Sequence, residues 1–239
     1  MPHNSCRNSH LVVLALIAFL AVLVAGGCGG PSGSLPIESI RQTMADTPTY
    51  SVILDDMKEE GNFFSKFYHK YRIVQPEDTG TTDWLEVPEN YYRLHEEYLG
   101  MALFSKKDGE EIDEIAPPGY AYVGDSRYGR WRDDGQGGSF WEFYGKYALL
   151  SHLFGGWYRP VYRTDYDMYR QYRSRRRPYF GNKNQYGTSG SIAKTAKPDF
   201  FSRRKTREQL KRTSFKERVA KRTGRVRTGF RSRAGGIGK

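Results

Sequence analysis

Cysteine is nearly absent: Cys6 and Cys28 are the only two, and Cys6 precedes a long apolar run near the N-terminus. A chain cut after that run has no pair to oxidise, which excludes a disulfide framework and a dithiol redox centre. Histidine is scarce too. His69, His95 and His152 are the only ones past the run, and no two stand four apart as in a helical zinc site. Glu96 and Glu97 adjoin His95, but helical neighbours point about 100° apart and do not converge. There is no Gly-x-Ser-x-Gly elbow, phosphate-binding loop, cysteine nucleophile or repeat of about 20 to 50 residues. Long hydrophobic runs are missing as well: the longest, Leu11 to Val24, has fourteen residues, or seventeen with Ala25, Gly26 and Gly27. A membrane-spanning helix needs about 20. These absences lean away from an enzyme and give no reason to expect a metal or cofactor.

That short run fits a different purpose. Arg7 and the free amine supply a positive n-region, Leu11 to Val24 an h-region, and Ala25-Gly26-Gly27 small residues before Cys28. The junction resembles the lipobox of bacterial lipoproteins, with Ala25 where leucine is usual. The resemblance covers only the first thirty or so residues. It implies cleavage before Cys28, acylation of that cysteine, and residence on the cell membrane or outer membrane, facing the periplasm or the exterior. Each buried methylene of an acyl chain contributes about 0.8 kcal/mol, so two or three chains anchor lastingly. Gly29 in place of aspartate after the cysteine favours the outer membrane in a diderm cell. An uncleaved N-terminal anchor is the alternative. The stretch Phe140 to Phe154, with Pro117-Pro118-Gly119-Tyr120 before it, is also similar to segments of uncharacterised bacterial lipoproteins, which implies no activity.

The formal net charge of +11 hides a division. Cys28 to Tyr158 holds 12 Lys and Arg against 22 Asp and Glu, whereas Arg159 to Lys239 holds 25 against 5. Large apolar residues concentrate in the acidic half, and the stretch after Pro178 has too few to offset its ordering entropy. The expected layout is a signal peptide at 1–27, a lipidated linker at 28–35 and an acidic globular domain at 36–156. A Tyr/Arg-rich helical extension at 157–177 and a disordered polybasic tail at 178–239 complete it.

Hydrophobic periodicity predicts an α+β fold, a small antiparallel sheet with two or three packed helices. Ile37, Ile40 and Met44 share one face of a short helix. Tyr50 to Lys58 and Phe63 to Val74 alternate as a hairpin, with Phe67, His69, Tyr71 and Ile73 on one face and Lys66, Lys70 and Arg72 on the other. Pro88 opens a helix carrying Tyr91, Leu94 and Tyr98, and Gly100 closes it. Asp108-Gly109 reads as the turn of a second hairpin. Ser139 with Glu142 has the form of a capping box before an apolar helix running to Phe154, stopped by Gly155-Gly156. Beyond it, Tyr162, Tyr166, Tyr169 and Tyr172 form a stripe at helical spacing, able to dock on the domain or lie at a headgroup interface.

Two groups of residues are candidate binding sites. Tyr120, Tyr122, Tyr128 and Trp131 lie in a Gly-rich stretch from Pro117 to Gly138 and suit stacking on sugar rings, although aromatics in such loops usually bury themselves. With His95, Asp133 and Asp134 they form the basis of the alternative function, an envelope enzyme acting on glycan or peptide. Asp55 and Asp56 are neighbours on a strand and therefore face opposite sides. The tail's cations, Arg203, Arg204, Lys205, Lys211, Arg212, Lys216, Arg218, Lys221 and Arg222, are expected to meet an anionic partner. Nucleic acid is the usual one, but an exported chain meets little of it. Peptidoglycan, lipopolysaccharide, teichoic acid or anionic lipid take its place, and contact with such a surface ranks just ahead of self-binding to the acidic domain. The leading expectation is a non-enzymatic, membrane-anchored scaffold or binding module.

Overall fold

A computed structural model of the protein describes residues 34–61 and 64–226. Ala25, Gly26, Gly27 and Cys28 lie outside the described residues, as do Phe63 and the last residues of the basic segment, 227–239. The chain divides into two compact units, Met1–Met44 and Ala45–Lys239. In the first, α1 (Pro36–Thr43) has its proline at the helix start, Glu38 in the first turn and Arg41 in the last, each where the helix dipole favours it.

The second unit is α+β, as expected, and built on a six-stranded antiparallel sheet. Its strands are β1 (Tyr50–Glu60), β2 (Lys66–Val74), β3 (Thr79–Thr81), β4 (Leu85–Val87), β5 (Ala102–Lys107) and β6 (Glu110–Ile112). They run in the order β3-β2-β1-β5-β6, with β4 also on β2. The central strand β1 is buried along its first eight residues on both sides, the polar Ser51, Asp55 and Asp56 among them. β2 alternates as the sequence predicts: Phe67, His69 and Tyr71 are buried. In the β5–β6 turn Asp108 and Gly109 both have positive φ, 49° and 87°, the two-residue geometry that matches strand twist. Ser51 and Ser105, paired across β1 and β5, share a hydroxyl network with Tyr122, at 2.8 and 2.9 Å.

Two helix expectations change. In α2 (Glu89–His95) the buried side chains are Tyr92 and His95, while Leu94 is 68% exposed. Tyr92 packs on Phe67 of β2, ring centroids 5.0 Å apart. The capping-box helix is not formed at its start. Gly129–Asp133 (β7) and Ser139–Phe143 (β8) instead make a separate hairpin. Glu142 points across to Arg130 and Arg132, at 3.0 and 2.6 Å, rather than back to a helix N-terminus. Trp141 and Phe143 are buried at period two, and Gly145, at φ 58°, breaks the chain before any helix starts. Only one turn, α3 (Leu150–Leu153), remains of the predicted helix, between short 3-10 turns at Gly145–Tyr147 and Gly155–Trp157.

The tyrosine stripe docks in part. On α4 (Arg163–Ser174) Tyr169 is buried against Tyr120 and Tyr179 at 5.4 and 6.1 Å, whereas Tyr172, and Tyr162 just before the helix, are 38% and 45% exposed. The segment after Pro178, expected to be disordered, is ordered as far as it is described. Tyr179, Tyr186, Ile192, Ala193 and Phe200 are buried one by one. Thr188 bonds the chain after α2: its hydroxyl donates to the Glu96 carbonyl at 2.6 Å and accepts from Leu99 N–H at 3.2 Å. α5 (Ser191–Ala196) leads into the 29-residue α6 (Pro198–Val226), about 43 Å long at 1.5 Å per residue. Individually inserted side chains, not a continuous apolar face, overcome the segment's low hydrophobicity. No helix among the described residues is long and apolar enough to cross a membrane.

Candidate functional site

The basic C-terminal helix and the acidic domain meet along the second half of β1 and at Glu96. A β-bulge between Leu54 and Asp56 interrupts the strict alternation of β1, so Asp55 and Asp56, 2% and 7% exposed, both take partners from the C-terminal segment. Asp55 accepts from Lys197 Nζ at 2.6 Å, Trp157 Nε1 at 3.0 Å and Arg72 Nε at 3.1 Å. Asp56 pairs with Arg203 at 2.7 Å. One turn further on, Glu59 receives Arg207 at 2.8 Å and Lys211 at 3.1 Å, and Glu96 receives Arg204 at 3.2 Å. Residues 203, 207 and 211 recur every four positions, which keeps them on one helix face.

The ionisation of these acids follows from their partners. Burial alone raises the Asp55 carboxyl, but Lys197, Trp157 and Arg72 outweigh it and hold the group below the usual carboxylate range. Burial likewise works against Glu59, yet Arg207, Ser65 and Lys211 bring it down to about 2. A carboxyl depressed in the folded state stabilises above its unfolded value, near 4.5, and loses that contribution as pH falls towards 2. Acid titration is therefore expected to loosen α6 from β1 between about pH 4.5 and 2. Glu59→Gln should flatten that slope in a helix-detected acid unfolding curve; an unchanged slope would refute the pairing.

Of the cations named from sequence, the fold thus neutralises Arg203, Arg204 and Lys211 against its own domain. The others stay outside. Every residue from Glu208 to Arg222 is exposed. Lys205, Arg212, Lys216, Lys221 and Arg222 make no ion pair among the described residues, and Arg218 donates only to the Ser214 carbonyl. At 100° per residue Lys205, Arg212 and Lys216 fall within about 40° of arc, opposite the docked face. From Arg212 to Arg222 five cations stand against Glu217 alone.

The aromatic group does not form a stacking surface. Tyr120, Tyr122 and Tyr128 are at most 1% exposed. Trp131 is half-buried, with the Arg163 guanidinium 4.9 Å above its ring. Asp133 and Asp134 hold their own hairpin turn: Asp133 accepts from Gly135 N–H, Asp134 from Gln136 and Gly138 N–H. His95 is tied through Nδ1 to the Tyr91 carbonyl at 2.8 Å. A depression of about 370 Å³ lies beside Tyr120, Gly124 and Tyr166, but its cations are answered, Lys107 by Asp125 and Arg173 by Glu114. Among the described residues no three His, Cys, Asp or Glu side chains gather as a metal site. Comparison with known protein families, curated proteins and solved structures finds no match to the chain.

Proposed function

We propose that the protein is a non-enzymatic envelope lipoprotein, anchored through Cys28, whose domain acts as a mount for a cationic helix that contacts an anionic envelope surface. The observation that carries this reading is the division of α6. Its Arg203, Arg204, Arg207 and Lys211 are neutralised by Asp56, Glu96 and Glu59, while Lys205, Arg212, Lys216, Lys221 and Arg222 are exposed. Charge left over after self-pairing is available to a partner. Sequence alone supports the anchor.

Each basic residue near an anionic membrane contributes about 1 kcal/mol, and the contribution fades beyond a Debye length. Neutralising Lys205, Arg212, Lys216 and Arg222 to glutamine therefore weakens binding of the detergent-solubilised chain to immobilised anionic lipid or wall polymer by roughly a thousandfold at low salt. Neutralising Arg203 or Arg204, already paired, has a much smaller effect. Equal binding by the quadruple variant would end the reading. Mass spectrometry of the N-terminus from cells tests the anchor separately: diacylglyceryl-modified Cys28 supports it, and an unmodified mature N-terminus elsewhere removes it.

A further inference from the structure

We propose that the partner of the exposed half of α6 is an anionic lipid surface, with Phe215 as the residue that enters the headgroup region. This rests on the reading above that the free cations bind an anionic surface, and it commits to which one.

Phe215 is 63% exposed and lies beyond the last residue that α6 pairs to the sheet, Lys211. At 100° per residue it falls within about 40° of Val219, itself 42% exposed. Arg218 and Arg222 flank this pair on one side of the helix, Arg212 and Lys216 on the other. Leu210, also exposed, falls outside the arc. The result is a short apolar strip between two rows of long cations. A polymer of phosphates or carboxylates rewards the rows and leaves the strip in water. A bilayer with anionic headgroups rewards both, because the aromatic ring settles at the interface while Arg and Lys stems lie along it with their charges at phosphate level. Charge complementarity selects anionic over neutral lipid.

Phe215→Ala is a clean variant, since the side chain is mostly in water and alanine favours a helix more than phenylalanine does. The full-length protein carrying it, its anchor held in detergent, is compared with the parent on immobilised phosphatidylglycerol and on purified peptidoglycan and teichoic acid. The expected result is a loss of roughly tenfold or more on the lipid with no change on the polymers. In parallel, full-length Phe215→Trp is reconstituted in vesicles containing brominated lipid. Its added fluorescence, over that of the parent, should be quenched in phosphatidylglycerol vesicles and not in purely phosphatidylcholine ones. Undiminished lipid binding by Phe215→Ala, an equal loss on lipid and polymer, or absence of quenching overturns the lipid assignment. Loss of all binding in the quadruple glutamine variant alongside unchanged binding in Phe215→Ala would leave the cationic surface standing and remove only the lipid.

Discussion

Asp55→Ala is expected to lower the stability of the sheet domain by about 3 kcal/mol, although Asp55 touches no proposed partner. Its carboxylate joins four stretches distant in sequence: β1, Arg72 of β2, Trp157 in the turn before α4, and Lys197 at the entry to α6. Removing it leaves the Trp157 indole N–H buried without an acceptor, Trp157 itself being 2% exposed. It also leaves two cations partly enclosed, Arg72 at 26% and Lys197 at 23% side-chain exposure. Breaking one side of a buried pair costs about 3 to 5 kcal/mol, and the partial exposure of both cations places this case at the low end. For a domain of this size the corresponding fall in Tm is about 6 to 12 °C.

The pairing of Asp56 with Arg203 gives the contrast. Arg203 is 42% exposed and Asp56 keeps the Met57 N–H at 2.8 Å, so Arg203→Ala should cost about 1 to 2 kcal/mol, less than Asp55→Ala. Asp55→Ala should in addition open the start of α6 to trypsin at Arg203, Arg204 and Arg207, because Lys197 is what seats the helix entry. Urea unfolding and limited proteolysis measure the two effects. If Asp55→Ala unfolds within about 1 kcal/mol of the parent, the carboxylate is not the joint described.

What could be read in advance, and what could not, follows a physical line. The β1–β2 hairpin and the Asp108-Gly109 turn were legible because their signals are local: period-two alternation and a dipeptide that tolerates positive φ at both positions. Phe140 to Tyr144 was misread because a dense aromatic run fits both periods, and the cross-strand use of Glu142 shows only once Arg130 lies opposite. Spacing puts Tyr91, Leu94 and Tyr98 on one helix face, but packing against Phe67 takes Tyr92. The segment from Pro178 looked too polar to fold because Tyr179, Tyr186 and Phe200 are spaced singly, with partners on distant elements. The cationic half of the site was named residue by residue. Its acidic half was visible only as a charge imbalance, since a one-residue bulge beside Asp55 leaves no mark in the sequence. Self-binding, ranked second from sequence, is what Arg203, Arg204 and Lys211 do.

Acid should weaken the domain well above the pH at which its carboxylates titrate, and His69 is the cause. Its ring is fully buried on β2, Nδ1 meets the Tyr71 hydroxyl at 3.0 Å, and Nε2 has no hydrogen-bond partner. Tyr91, Tyr92 and His95 close around it, with ring centroids 5.4 to 6.0 Å away. Burial, helped by the nearby His95, depresses its pKa to about 3 from an ordinary 6.5. His95 is lowered as well, again by burial, against a raising contribution from the Tyr91 carbonyl. Between about pH 6.5 and 3 the unfolded chain therefore binds a proton at residue 69 that the folded chain refuses, so stability falls as pH falls across that window. At pH 5 the loss from His69 alone is about 2 kcal/mol. In His69→Phe the buried, unpartnered nitrogen is gone, but the Tyr71 hydroxyl loses Nδ1 and a larger ring must fit, so at pH 7.5 a loss of about 1 to 3 kcal/mol is expected. The slope of stability between pH 6.5 and 5 should shrink markedly, leaving the part due to His95. Urea midpoints at pH 7.5, 6 and 5 measure this directly. A parent curve flat over that range, or a variant as acid-sensitive as the parent, would contradict a neutral His69 sealed behind α2.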